Sequence, residues 1–267
     1  MSYEVFEIEK HDHTATLWLA RPEKRNAMGS AFWNELPQAM AELDRDDRVR
    51  AVVVAGRGRD FTVGLDLKAM GGSLFESEPK GRFAFLDEVD RLQGSISAVA
   101  NCRKPVIAAV HGLCLGGGID LITACDIRYA SRDAVFSIRE TKIAIVADVG
   151  TLQRLPAIIG KGHVAELAFT GDDVSAERAL EIHLVNRVFA DADTTVAAAR
   201  DLAERIAANS PLAVIGTKQV LEYCEGKSVE DGLKYVATWN AAFLKSDDLK
   251  EAMLAFLEKR KPNFTGR

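Results

Sequence analysis

Apolar side chains recur along this chain with two different periods. Near the N-terminus the period is two: Tyr3 to Glu9 alternates apolar and polar positions, and so does Thr14 to Leu19. That pattern predicts a β-hairpin turning at His11–His13. A charged loop, Arg21-Pro22-Glu23-Lys24-Arg25-Asn26, comes next. The spacing then becomes helical, with Phe32, Leu36, Met40 and Leu43 on one face and Ser30 as the expected cap. Arg50 to Ala55 is a continuous apolar run, the mark of a strand buried on both faces. Residues 81 to 100 return to helical spacing through Phe85, Val89, Leu92 and Ile96. Pro105 to Val110 predicts a second buried strand, with its proline at the start. Gly112 to Asp126 holds a glycine cluster and then a helix, and Ile127 to Ala130 and Ala134 to Ser137 predict short strands. A repeated strand-loop-helix unit predicts a stacked, parallel α/β core.

From about residue 190 strand signals vanish and alanine rises. Segments 191–208, 211–225, 228–245 and 247–260 all read as helices. The expected division is therefore a core over residues 1–190 and a helical module over 191–267. Val236, Ala237, Trp239, Phe243 and Leu244 make one late face strongly apolar, which predicts packing on another subunit.

Composition removes several classes. With 267 residues, 48% hydrophobic and 27% charged, the chain can bury a core without disulfides or metal. The net charge of -5, with no run of five like charges, argues against a nucleic-acid surface. No apolar run reaches membrane-spanning length. The four cysteines form no CxxC and read as buried free thiols. The five histidines show no metal-ligand spacing, so no metal is expected. The charged, alternating N-terminus and the C-terminal NFTGR carry no address, so a cytoplasmic protein is expected.

Three features bear on chemistry. In Phe61-Thr62-Val63-Gly64-Leu65-Asp66-Leu67, Gly64 permits a turn that frees a backbone N–H for a ligand oxygen. In His111-Gly112-Leu113-Cys114-Leu115-Gly116-Gly117-Gly118-Ile119-Asp120, a buried strand leads through glycines into a helix. The unpaired N–H groups of that first turn suit an oxyanion developing on a carbonyl. The segment spells neither GxGxxG nor a P-loop. The third feature is a set of carboxylates, Asp120, Glu140 and Asp148. Each also has a structural reading: dipole compensation for Asp120, a solvated loop acid for Glu140, and a helix N-cap for Asp148.

HGLCLGGGIDL and RPEKRNAM, together with FTVGLDL, resemble segments of the enoyl-CoA hydratase/isomerase (crotonase) family, and the likeness runs from about residue 5 to the C-terminal helices. Ala147-Asp148-Val149-Gly150-Thr151-Leu152-Gln153-Arg154-Leu155-Pro156 is similar to the corresponding stretch of the family's Δ3,5-Δ2,4-dienoyl-CoA isomerases. Hydratases of the family usually lack an acid at the Asp148 position and carry glutamate at the Asp120 position. Val63, Thr62, Lys142 and Ala144 depart from the usual pattern, which bears on pocket shape.

The resemblance implies an α/β fold: a crotonase-like stacked ββα spiral core with a C-terminal helical oligomerisation module, assembled as a homotrimer or a dimer of trimers. It implies an acyl-CoA thioester substrate. The reaction would convert 3,5-dienoyl-CoA to 2,4-dienoyl-CoA in fatty-acid β-oxidation by moving a proton between C2 and C6. Glu140 would serve C2, Asp148 would serve C6, and Asp120 would tune Glu140. Leu65 and Gly117 would form the oxyanion hole. Lys24, Arg25, Ala27, Thr62, Val63, Gly64, Leu65, Asp66 and Gly117 would line the substrate site, with Lys24 or Arg25 near the coenzyme A phosphates. No cofactor is needed, because the reaction is redox-neutral and coenzyme A belongs to the substrate. The alternatives are an enoyl-CoA hydratase and a non-catalytic family relative that acts as a binding or scaffold protein.

Overall fold

The computed structural model describes residues 2–70 and 79–267. Its first sheet has six strands in the order β1 (Phe6–His11), β2 (Thr14–Leu19), β3 (Ala51–Gly56), β4 (Val106–Val110), β6 (Ile127–Ser131) and β9 (Arg187–Phe189). Strands β1 and β2 are antiparallel, in the register Phe6↔Leu19 to His11↔Thr14, and every later pairing is parallel. The hairpin turns at Asp12, which takes a positive φ. Tyr3 lies ahead of the first strand, which starts at Phe6. A second sheet of three strands stacks β5 (Leu113–Leu115), β7 (Val135–Ser137) and β8 (Val174–Ser175).

Helices α1 (Ser30–Arg45), α2 (Leu67–Met70), α3 (Pro79–Ala100), α4 (Gly117–Thr123), α5 (Thr151–Ile159), α6 (Lys161–Thr170) and α7 (Ala176–Glu181) fill the crossovers. Parallel neighbours require such connections, which produces the stacked spiral. Gly29, not Ser30, is the N-cap of α1, and no side chain caps that end. The helix starts one residue earlier than a serine cap would place it, because its entry is fixed by tertiary packing of Phe32, Trp33 and Leu36.

Strand β3 shows why both of its faces are apolar. Val52 and Val54 enter the main core with Leu17, Leu36, Met40 and Val106. Ala51, Val53 and Ala55 face the other way, against Ala199 and Ala203 of α8 (Ala192–Ala207). Alanine meeting alanine lets α8 lie close on the sheet. Each fully buried valine or leucine contributes about 1.5–3 kcal/mol, so one strand anchors both layers.

Three more helices end the chain: α9 (Pro211–Cys224), α10 (Val229–Phe243) and α11 (Asp247–Glu258). Ser210, Ser228 and Ser246 cap them by accepting backbone N–H groups. These helices differ from α8 in what they leave in water: Val229, Leu233, Met253, Phe256 and Leu257 are all well exposed. Cys102, Cys114 and Cys125 are buried free thiols, and Cys224 is half-buried. Among the described residues no helix is long and apolar enough to cross a membrane, and no cluster of His, Cys, Asp and Glu suits a metal ion.

Candidate active site

The site is built where loops leave the sheet. Gly64 has φ +81°, and a Cβ there would come within 2.5 Å of Leu115 O and 3.4 Å of Gly117 N. A side chain is therefore excluded twice, by backbone conformation and by space. The same approach presses the Gly64–Leu65 turn against the first residue of α4. Met28 ties in the other side: its N–H donates to Gly64 O at 2.8 Å, and its carbonyl accepts from Asp66 N at 3.0 Å. Neither the Leu65 nor the Gly117 amide donates to any group among the described residues. Two adjoining turns thus keep unspent N–H groups.

Thr62 belongs to the frame of this turn. It is fully buried, its hydroxyl donates to Asn26 O at 2.7 Å, and it accepts from Gly64 N at 3.1 Å. Val63 and Ala27 are half-buried beside it, and Val63 N donates to Arg25 O. Arg25 has a positive φ, and its Nε donates to Asp60 Oδ2 at 2.7 Å. That guanidinium is thereby oriented by a buried carboxylate, while Lys24 is exposed on the adjoining 3-10 turn Pro22–Lys24. Asn26, whose role spacing does not reveal, is buried and donates to Arg57 O and Asp60 O.

The three acids come from three elements. Asp120 lies in α4 and is almost wholly buried. Its Oδ1 accepts the Thr151 backbone N–H at 2.6 Å, so it caps the start of α5 from 31 residues away. Burial pushes its carboxyl up to about 6, against the pull of the Thr151 N–H; nearby Asp148 raises it further. Glu140 opens a 3-10 turn, Glu140–Ile143, three residues beyond β7. A Cβ on Gly116 would meet its Oε1 at 3.3 Å, so this carboxylate lies directly against the glycine turn. Its Oε2 is buried with no hydrogen-bond partner. Burial, reinforced by Asp120 and Asp148, pushes Glu140 up to about 7.

Asp148 is half-buried and also held above the ordinary carboxylate range by burial. It is not an N-cap: the cap position of α5 is Gly150. Its loop is fastened instead through backbone oxygens. Gln93 donates to Asp148 O at 2.7 Å, and Arg154 reaches Val149 O and Ser97 Oγ. Sequence spacing passed over Gln93 and Arg154, because their contacts are set by packing of α3 against α5. The structure thus brings Asp120, Glu140, Asp148 and the two glycine turns into one neighbourhood.

The family model for enoyl-CoA hydratase/isomerase matches residues 9–267. The chain belongs to that family. In the enoyl-CoA hydratase/isomerase family, it is 44% identical to the mitochondrial Δ3,5-Δ2,4-dienoyl-CoA isomerase of Dictyostelium discoideum, over 98% of this chain and 92% of that one. It is equally 44% identical to the peroxisomal enzyme of the same name from Arabidopsis thaliana, over 98% of each. The solved enoyl-CoA hydratase of Bacillus anthracis superposes with a TM-score of 0.91 at 31% identity, over 99% of this chain and 100% of that one. The crotonase-like spiral expected from sequence is therefore the fold. The expectation of a cytoplasmic protein does not stand, since the isomerases it matches are named mitochondrial or peroxisomal. That expectation rested on what the terminal residues lack, and such an absence carries no positive signal.

Proposed function

We propose that this chain is a Δ3,5-Δ2,4-dienoyl-CoA isomerase acting on an acyl-CoA thioester. The carrying observation is the pair of burial-raised carboxyls, Glu140 and Asp148, beside turns with two unspent amides. The relatives of that name at 44% identity support the same reading. A hydratase needs no second acid at the Asp148 position.

The chemistry follows from the thioester. A C2 proton is weakly acidic, and its removal puts charge on the thioester oxygen. The Leu65 and Gly117 N–H groups donate to that oxygen, and losing one such donor typically costs about 3–4 kcal/mol in the transition state. Glu140 exchanges the proton at C2 and Asp148 the proton at C6. One begins ionised and the other protonated; the double bonds shift into conjugation, and the two acids end with exchanged states. Close like charges favour this sharing of one proton between them. Asp120 raises the proton affinity of Glu140 and holds the first turn of α5 through Thr151. Lys24 and Arg25 meet the coenzyme A phosphates, while Ala27, Val63, Gly64 and Asp66 line the thioester end.

The exposed apolar side chains of α10 and α11 pack on other copies in a homotrimer or a dimer of trimers. Sedimentation at micromolar concentration checks this, and a stable monomer contradicts it.

Asp148→Asn tests the central assignment. Turnover is expected to fall roughly 10²-fold or more, read as the ultraviolet absorbance of the conjugated 2,4-dienoyl thioester. Near-normal turnover sinks the role of Asp148 and returns the chain to the wider family. Crotonyl-CoA hydration, run alongside, reads the hydratase alternative directly.

A further inference from the structure

Glu140 presents a positioning problem. It sits in a four-residue 3-10 turn, Glu140–Ile143, an element too short to be rigid alone. Oε2 has no hydrogen-bond partner to hold it. Yet its carboxylate lies within contact distance of the Gly116 turn. Something other than its own turn must fix it there.

The flanking side chains reach across to a single segment, the end of α6 and the loop after it. Arg139 Nη2 donates to Asp173 Oδ1 at 2.6 Å. Thr141 Oγ1 donates to Ala168 O at 2.9 Å. Lys142 Nζ donates to Asp172 Oδ1 at 3.3 Å. Ser137, just before the turn, donates from Oγ to Gly171 O at 3.0 Å in a buried setting. Gly171 ends α6, and a Cβ there would press on Lys142 Cγ at 3.0 Å, so the lysine stem lies flat against this loop. Residues on both sides of Glu140 are thus tied to 168–173, while Glu140 itself is left free for chemistry. The same segment borders an open cleft of about 360 Å³, lined by Asp172 and Asp173 and also by His163, Glu166 and Arg178. Ala168 seats the anchor on the main core, while Asp172 and Asp173 stand exposed at the rim of this cleft and reach back to the Glu140 turn.

We propose that residues 168–173 are a positioning clamp for Glu140, acting through Arg139, Thr141 and Lys142. The inference rests on the reading of Glu140 as the C2 proton-transfer group. Exposed ion pairs add little stability singly, so the function of this set is to fix geometry. Small displacements of a reacting group have large kinetic effects.

The test uses Asp172→Asn/Asp173→Asn, which cuts both ion pairs with almost no change in size and touches no substrate. Turnover of a dienoyl-CoA is expected to fall about tenfold with KM little changed and the thermal midpoint nearly constant. Thr141→Val should act in the same direction and Thr141→Ser should restore the lost rate. The charge exchange Arg139→Asp/Asp173→Arg should recover part of the activity lost in Asp173→Asn. A purely structural set of contacts would lower the midpoint and leave kcat alone, and that outcome overturns the clamp. Glu140→Gln, measured beside these, separates the two ideas. If it stays active, the Glu140 reading fails and the clamp with it. If it is inactive while the Asp172/Asp173 variant turns over like wild type, only the clamp fails.

Discussion

The two ends of the parallel strands treat buried charge in opposite ways. Where β4 and β6 begin, every ion has partners. Lys104 is buried and donates to Leu43 O and Asp46 O, each at 2.6 Å. Lys218, on α9, donates to Asp126 Oδ2 at 2.9 Å and to Lys104 O. Asp126 also accepts the Val106 N–H at 2.7 Å, and Arg128 donates to Leu184 O and Cys125 O. Beyond the far ends of the strands lie Asp120, Glu140 and Asp148, three neighbouring acids for which burial is the leading influence. Desolvation acts at both ends. Partners convert it into structure at one end; their scarcity converts it into raised proton affinity at the other. A proton-transfer group needs an affinity near neutral pH, and Glu140 at about 7 has one.

Neutral isosteres break this contrast most sharply at Glu140. Glu140→Gln keeps shape and removes the proton site, so kcat is expected to fall roughly 10²–10⁴-fold while the fold persists. Circular dichroism checks the fold and the diene absorbance checks the rate. At the opposite end Lys218→Met should do the reverse. It strands Asp126 without its cation and is expected to cost about 3 kcal/mol, because breaking a buried pair leaves an uncompensated charge. The figure belongs at the low end of such costs, since the Asp126 side chain remains 31% exposed. Urea unfolding measures it, and turnover of the still-folded enzyme should be unchanged.

This division was only partly legible in the sequence. The strands β2, β3 and β4 and the four C-terminal helices stand where hydrophobic spacing puts them, because their side chains repeat with the period of the element. The brief strands β8 and β9, at two and three residues, are too short to show a period. The candidate acids were visible as residues, but their partners were not. The alternative structural reading of Asp148 as an N-cap fails, because the contact made at the start of α5, Thr151 N–H to Asp120, spans 31 residues and two elements. Arg25, read as free for phosphates, is steered by Asp60, 35 positions away. Local pattern names the groups; only the fold decides which are neutralised.

The pH dependence of stability sharpens the same contrast. The folded-state values of about 6 for Asp120 and about 7 for Glu140 lie above their ordinary values of 3.8 and 4.5. The folded protein therefore binds more protons than the unfolded chain between these limits. The contribution of these groups is fully present below about pH 4 and is lost as pH rises through 6 and 7. Glu140→Gln removes one of them. Discounted for the partial exposure of the carboxyl, the inactive variant should be more stable than wild type at pH 8 by on the order of 1–2 kcal/mol. The gain should vanish below about pH 4.5, where both side chains are neutral. Urea midpoints across that range that show no convergence at low pH would remove the claim that burial of this acid is a cost to folding.

The smallest effect concerns backbone strain, part of which lies in the loops of the candidate site. Among the described residues, Arg25, Asn26 and Ala144 hold positive φ in loops of the candidate site. Arginine and asparagine are fixed there by Asp60 and by the Arg57 and Asp60 carbonyls. Ala144, at φ 58°, is exposed and has no polar side-chain atom that could fix that conformation. It closes the turn begun by Glu140, its N–H donating to Thr141 O at 3.3 Å. Left-handed backbone costs an L-residue roughly 1–2 kcal/mol, and glycine offsets part of the gain through the entropy of its unfolded state. Ala144→Gly should therefore stabilise the protein by about 0.5–1 kcal/mol, a rise of a few degrees at most in the thermal midpoint. Because the flanking ties to 168–173 hold Glu140, kcat should change by less than about twofold. A larger loss would mean that the alanine's restricted backbone, and not those ties, keeps the carboxylate against the glycine turn.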